Sequence, residues 1–364
     1  AEAVDVQQLV LHYAETLRRV LFKGRGFRPE EVYVDYTRGT KAMSAAVDYV
    51  AFDMELAGVS YILGQLDEQG RAISGTERIL SFQPLELLFR RSWRSLVELF
   101  NTGHFATVLQ HVSRVRERTV RDEHRRRLDF LTELSQACQA WELLDYRRAC
   151  EHFRACLKEY RDLTESLAPS GEVPRASEVV HRLWKSRCTG PACGCGLPLD
   201  ALTSIDLLAH AERRAAGQLY DVAVLLLYRL LEYLAQHRLH NRGLRADRVD
   251  LDRLPDAVRG QWVKRTDPDG SLKLGMVEAF QLLADLGDPL GTRFMDLYGA
   301  TDSKLRAYLQ SRNLSPLAHG FQPVGPEVYE KLRALVTEQF LAESVPQWEH
   351  HLGQFRLPLL DPHP

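Results

Sequence analysis

The sequence predicts a mixed chain: an α/β segment at the N-terminus, then helices to the C-terminus. Three observations predict it. Short apolar runs of strand length alternate with helix-periodic segments only before about residue 84. From Leu85 to Leu167 the spacing is helical throughout. A Gly-, Pro- and Cys-rich stretch at 186–198 then marks a boundary before a further series of amphipathic segments.

In the first part, Val6, Leu9, Val10, Tyr13, Leu17, Val20 and Leu21 recur at helical spacing, and Pro29 ends that segment. Val32 to Tyr36 reads as a short buried strand, and 41–57 as an alanine-rich helix. Val59 to Leu66 is strand-like, Asp67 to Gly70 is a turn, and Glu77 to Phe82 is its partner strand. Helix–strand–helix–strand at these lengths predicts a parallel sheet with crossover helices. Within 85–167, Asn101 to Phe105 and Leu144 to Ala149 read as helix–helix turns, giving a pair of helical hairpins. Beyond the boundary, helices are predicted at about 201–240, 275–287, 292–312 and 326–344. The expected domains are therefore 1–84, 85–198 and 199–364.

At 364 residues the chain is long enough for two or three cores. Its 45% apolar and 26% charged residues are those of an ordinary globular protein. A net charge of −2 excludes nucleic-acid binding through a broad basic field, so any polynucleotide must sit in a local cleft. The longest apolar run, Val222 to Ala235, is interrupted by Arg229 and Glu232 and is too short for a bilayer. No basic-then-apolar leader opens the sequence, so a cytoplasmic protein with no membrane partner is expected.

Six cysteines in a chain of this size do not form a disulfide framework. Cys188, Cys193 and Cys195, even with His181, lack paired Cys-x2-Cys spacing and read as a free-thiol loop rather than a zinc site. The run Arg114 to Arg127, interleaved with Glu117, Asp122 and Glu123, reads as a solvated helix face rather than an RNA track. The scattered histidines, His104, His111, His124, His210, His237 and His240, read as surface or packing residues.

Two segments carry chemistry. The first runs from Arg312 through Asn313, Pro316 and His319 to Gly320. It places an arginine and a histidine at the end of one predicted helix, with Pro316 favouring a fresh helix start. A fixed cation beside a group that exchanges protons near neutral pH suits phosphodiester chemistry without a metal. The second is Asp35-Tyr36-Thr37-Arg38-Gly39-Thr40-Lys41, between a strand and a helix. Gly39 permits a tight turn, Thr37 and Thr40 offer hydroxyls, Lys41 offers charge, and the helix N-terminus offers free amides, a combination that binds phosphates. It lacks the glycine–lysine spacing of a nucleotide-hydrolysing P-loop.

The segment from Asp206 through Tyr220 and Asp221 to Tyr228 and Glu232 resembles the opening helical hairpin of HEPN domains. In that family an Arg-Asn…His element at the start of the last core helix forms a ribonuclease site, and the matching residues are Arg312, Asn313 and His319. Asp35 to Lys41, continuing to Met43 and Ser44, resembles the ligand loop of CARF domains, which sense cyclic oligoadenylates. Residues 31–160, with Trp141 to Ala149, are similar to the CRISPR-associated family that joins CARF to HEPN through a helical linker in type III defence. The sequence opens part-way through that CARF pattern, so a partial sensor at 1–84 is expected, and Arg38 replaces the family's small residue.

The resemblance implies a Rossmann-like CARF domain, a helical linker and an all-α HEPN domain. The implied activity is metal-independent cleavage of single-stranded RNA by a homodimer, switched on by cyclic oligoadenylate. His319 would handle a proton, Arg312 would stabilise the phosphorane, and Asn313 would orient the substrate or the histidine. The ligand-binding set would be Asp35, Thr37, Arg38, Gly39, Thr40 and Lys41. Two alternatives stay open: a regulator whose HEPN part only dimerises, and a toxin-like ribonuclease that works without a ligand.

Overall fold

The structure is a computed structural model that describes residues 5–65, 67–69, 73–119, 121–169, 171–187, 199–268, 271–317 and 320–362. The loop with Cys188, Cys193 and Cys195 lies outside the described residues. The chain divides into two compact units, Ala1–Ser135 with Leu359–Pro364, and Gln136–Pro358.

The first unit opens with α1 (Val6–Thr16), where the Asp5 carboxylate caps the free amides of Gln7 and Gln8. The helix continues in a widened π-type turn over Leu17–Lys23. β1 (Tyr33–Asp35), α2 (Lys41–Asp53), β2 (Gly58–Leu63) and β3 (Arg78–Phe82) follow. β1 and β2 pair in parallel, Val34 opposite Val59, with α2 as the crossover. β2 and β3 pair antiparallel, Ser60 opposite Ser81.

The predicted parallel crossover is present between β1 and β2, and with β3 the sheet is a small mixed one, in the order β1-β2-β3. The reason is the link after β2. Among its described residues it holds no helix, and it turns the chain straight back. Val32, Ala51, Leu56 and Val59 form the core beneath the sheet, joined by Leu17, Leu21 and Phe22 from the end of the first helix.

The predicted helical region begins with α3 (Pro84–Asn101) and α4 (Phe105–Arg118), which pack together across the Gly103 turn. α5 (Asp122–Glu142) spans the border between the units. Arg116 pairs with Asp129, Arg121 with Glu86 and Arg127 with Glu123, so three arginines of this charge run meet carboxylates on the helix faces.

The second unit continues with α6 (Tyr146–Glu159), α7 (Arg161–Leu167) and α8 (Glu172–Lys185), with α6 packed on α8. α9 (Thr203–Ala216) and α10 (Tyr220–His240) form an antiparallel hairpin, divided at Gly217 rather than running through 201–240. α11 (Asp256–Trp262), α12 (Met276–Asp285), α13 (Pro289–Gly299), α14 (Lys304–Asn313) and α15 (Pro326–Val336) complete the bundle. α10 is its centre: Val224, Leu227, Leu231 and Leu234 are buried, and it packs against α9, α12 and α15. Phe280 stacks on Phe294 at 3.9 Å, with Phe340 beside both. Truncating Phe294 to alanine here costs about 3–5 kcal/mol. No helix among the described residues is long and apolar enough to cross a membrane.

Candidate active site and ligand loop

Arg312 is the penultimate residue of α14, which Ser303 starts by accepting a hydrogen bond from the Arg306 amide at 3.0 Å. Its guanidinium lies over the ring of Tyr228, with the central carbon 4.8 Å from the ring centroid. Arg312 Nη1 donates to Asn313 Oδ1 at 3.1 Å. Arg312 Nε is buried without a hydrogen-bond partner among the described residues. Glu232 follows Tyr228 by one turn of α10 and accepts a bond of 3.1 Å from Arg229. Burial raises the Tyr228 phenol above its ordinary pKa; Glu232 adds to that rise and Arg312 opposes it. The phenol is thus neutral, and its ring face is what meets the cation.

The chain after Arg312 corrects one expectation. Pro316 does not start a helix: among the described residues of 314–325 there is none, and α15 begins at Pro326. Proline at the first helical position, with Gly325 before it, supplies the start that Pro316 was expected to give. The loop is nonetheless closely held. The Gly320 amide donates to the Ser315 carbonyl at 3.2 Å, and the Gln322 amide to the Leu314 carbonyl at 2.9 Å. A β-carbon at Gly320 would stand 2.0 Å from the Leu314 carbonyl oxygen, so only glycine fits there. The far end is tied to α10, because the Val324 amide donates to Asp221 at 3.1 Å.

The structure therefore brings Arg312 and Asn313 together, and adds Tyr228 beneath them. His319 lies outside the described residues. Phe321, 94% exposed, stands on the same loop with exposed Leu314 and Leu317. The sequence marked Tyr228 only as part of the hairpin segment, and Phe321 not at all. An apolar residue two positions past an Arg…His element, in a loop rather than a helix, was the available signal for Phe321.

The scaffold around α9 is strongly polar inside. Asp206 is fully buried and accepts from Trp141 Nε1 at 2.8 Å and from the Tyr146 hydroxyl at 2.7 Å. Burial raises its pKa against the pull of Arg213 and these two donors. One helical turn on, buried Glu142 faces His210 Nε2 at 3.2 Å, Arg213 Nε at 2.6 Å and Arg214. Burial alone would raise Glu142, but the His210 bond and the two arginines pull it down to about 2.

In the first unit, Asp35 closes the end of β1. Its carboxylate accepts from the Thr37 amide at 3.0 Å and from the Ser60 hydroxyl at 2.8 Å. The Thr37 hydroxyl, then the Thr37 amide and Ser60, lower its pKa. Thr37 Oγ1 also accepts from the Ile62 amide at 2.9 Å, so this hydroxyl is engaged in ordering the loop rather than offered freely. Thr40 caps α2 through the Met43 amide at 3.3 Å.

Gly39 is not in the left-handed region. Its need is spatial, because a β-carbon there would come within 3.3 Å of the Met43 β-carbon and Ser44 Oγ. A cavity of about 540 Å³ opens against this loop, lined by Tyr13, Asp35, Thr37, Arg38, Gly39 and Met43 among others. Arg38 and Lys41 are exposed, and only Arg38 lines the cavity. Tyr36 stacks on Tyr61 at 5.3 Å and braces the loop from the side.

Among the described residues, no group of three His, Cys, Asp or Glu side chains gathers as a metal site.

Residues 88–176 match the family described as the Csm6 6H domain, and residues 200–342 match the Csm6 HEPN domain. Over these two regions the chain is similar to Csm6 proteins. It is also 27% identical to a protein described as CRISPR system endoribonuclease Csm6, from Thermus thermophilus, over 84% of this chain and 67% of that relative. Arg312, Asn313 and Tyr228 all fall within the HEPN match. Trp141 and Tyr146 fall within the 6H match, and Asp206 within the HEPN match, so their hydrogen bonds tie the two matched regions together inside the second unit.

Proposed function

We propose that this Csm6-like chain is a metal-independent RNA endonuclease, switched on by a cyclic oligoadenylate and acting in type III CRISPR defence. The observation that carries the reading is Arg312. It sits at the end of α14 inside the HEPN match, anchored on Tyr228, with a buried Nε that has no described partner. The Thermus thermophilus relative, named an endoribonuclease, supports RNA as the substrate.

The chemistry is transesterification. The 2′-hydroxyl attacks the adjacent phosphorus, the P–O5′ bond breaks, and the products carry a 2′,3′-cyclic phosphate and a 5′-hydroxyl. The nucleophile already adjoins the phosphorus, so no metal is needed to generate it. Arg312 offsets charge on the phosphorane, Asn313 orients the substrate, and His319 transfers the proton. Single-stranded RNA suits a loop with an exposed Phe321, on which an unpaired base can stack.

One Arg–His pair is a sparse site, and a homodimer would supply a second. The exposed Leu314 and Leu317 support a partner surface beside the site. The N-terminal unit is read as the CARF-type sensor, Rossmann-like in its β1–α2–β2 crossover, with the cavity at Asp35, Thr37, Arg38 and Gly39 taking the cyclic ligand. Thr40 positions α2, and Lys41 adds charge at its start. The whole is cytoplasmic.

The test is end-group analysis. RNA cut in EDTA should yield 5′ ends that a polynucleotide kinase labels without prior phosphatase treatment. Products bearing 5′-phosphates would exclude this chemistry.

A further inference from the structure

A second cavity lies in the first unit, and its lining shares no residue with the cavity at the ligand loop. It holds about 360 Å³ between α3 and the start of α5, with Pro362 on its edge. Phe89, Trp93 and His124 form its buried floor; Trp93 is 1% and His124 7% exposed. Phe89 stacks on the His124 ring at 3.8 Å, which fixes the imidazole plane. His124 Nε2 meets the Glu86 carboxylate at 2.8 Å, which fixes which nitrogen is committed.

Three nitrogens on this lining are buried without a hydrogen-bond partner among the described residues: Trp93 Nε1, His124 Nδ1 and Arg127 Nε. Each such group is costly when nothing meets it. Trp93 Nε1 and Arg127 Nε can only donate, so an occupant that meets them supplies acceptors.

The charge balance agrees. The lining carries the guanidinia of Arg90, Arg94, Arg121 and Arg127 against the carboxylates of Glu86 and Glu123, four against two, an excess of two positive charges. Glu86 is already met by Arg121 at 2.7 Å and Arg90 at 3.6 Å, and Glu123 by Arg127 at 3.0 Å. Arginine is suited to the planar, multidentate recognition of a phosphate monoester. The volume exceeds that of a bare phosphate and leaves room for a sugar.

We propose that this cavity binds a phosphoester of about mononucleotide size, held through its phosphate by Trp93 and Arg127 over the His124 floor and rimmed by Arg90 and Arg121. The inference is independent of the function proposed above. It places a third, separate ligand in the region matched to the 6H domain.

The experiment is calorimetric titration of the full chain with adenosine 5′-monophosphate. It is run in an Arg38→Ala, Arg312→Ala background, which removes an arginine from each of the two other candidate sites. Binding is expected there. Trp93→Phe removes one donor while keeping a ring, and Arg127→Lys keeps the charge while removing Nε. Each should weaken binding about tenfold, with the melting temperature of every variant measured alongside. If Trp93→Phe unfolds the unit, Arg127→Lys, a partly exposed conservative change, still decides the matter. Absence of binding, or unchanged affinity in Arg127→Lys, overturns the site. Inorganic phosphate binding as tightly as the mononucleotide overturns the assignment of ligand size.

Discussion

Arg312 rests on the face of Tyr228, 4.8 Å from its centroid, although the two come from separate helices, α14 and α10. The aromatic face holds a long flexible cation in place without neutralising it. A carboxylate at that position would hold the side chain equally well but would cancel the charge meant for a phosphate.

Substitutions at Tyr228 therefore separate the ring from the hydroxyl. Tyr228→Phe keeps the contact and should cleave RNA at close to the parent rate. Tyr228→Ala frees the guanidinium and should lower the rate about tenfold, matching a cation–π contribution of about 1–2 kcal/mol. Single-turnover cleavage assays on both variants check this, and equal rates would show that the ring does not position Arg312.

Gly320→Ala tests the loop. The new β-carbon would meet the Leu314 carbonyl, so the 314–322 hydrogen-bonded loop must open. Cleavage should fall at least tenfold, while circular dichroism shows the helical content retained. Full activity would mean that the loop geometry is irrelevant to the chemistry.

Glu142 gives a pH prediction with a definite sign. Its pKa is lowered from 4.5 to about 2 in the folded protein, so it stabilises the fold fully above pH 4.5. As pH falls from 4.5 towards about 2, the folded carboxylate becomes protonated and that contribution is lost, up to about 3 kcal/mol. Urea unfolding at pH 5 and pH 3 should show the loss. Glu142→Gln should flatten this pH dependence and destabilise the protein at neutral pH, because Arg213 and Arg214 lose their carboxylate.

At the sensor loop, Arg38→Ala should weaken cyclic oligoadenylate binding at least tenfold, since this is the exposed cation on the cavity lining. Calorimetry with cyclic tetraadenylate and cyclic hexaadenylate measures it and reports ring size as well. An unchanged affinity for whichever ring binds would move the ligand away from this cavity.

Much of the architecture was legible because it rests on local signals. Apolar periodicity located α1, α2, the strands and most of the helices, and Asn101–Phe105 did prove to be a turn. A break and a helix were missed. The segment read as one helix over 292–312 is α13 and α14, interrupted after Gly299 and restarted by Ser303. The amphipathic pattern resumes in phase, and it hid the cap. α8 was not anticipated; Pro174 lies in its first turn, where proline is tolerated, and Gly171 in a left-handed conformation precedes it.

The direction of β3 follows from its link to β2, which strand-like composition at 77–82 does not encode. At the candidate site, Arg312 and Asn313 could be found from their motif. Tyr228 could not, because it becomes a neighbour of Arg312 only when α10 packs against α14. The second cavity was equally hidden: His124 read as one of several scattered histidines until Phe89, Glu86 and Trp93 closed around it.

The most direct test of the central claim is cleavage of labelled single-stranded RNA in EDTA, with and without cyclic oligoadenylate, by the parent chain, Arg312→Ala and His319→Ala. The account predicts cleavage by the parent that rises with the cyclic ligand, and a loss of at least a hundredfold in either variant. Undiminished cleavage by Arg312→Ala would contradict it.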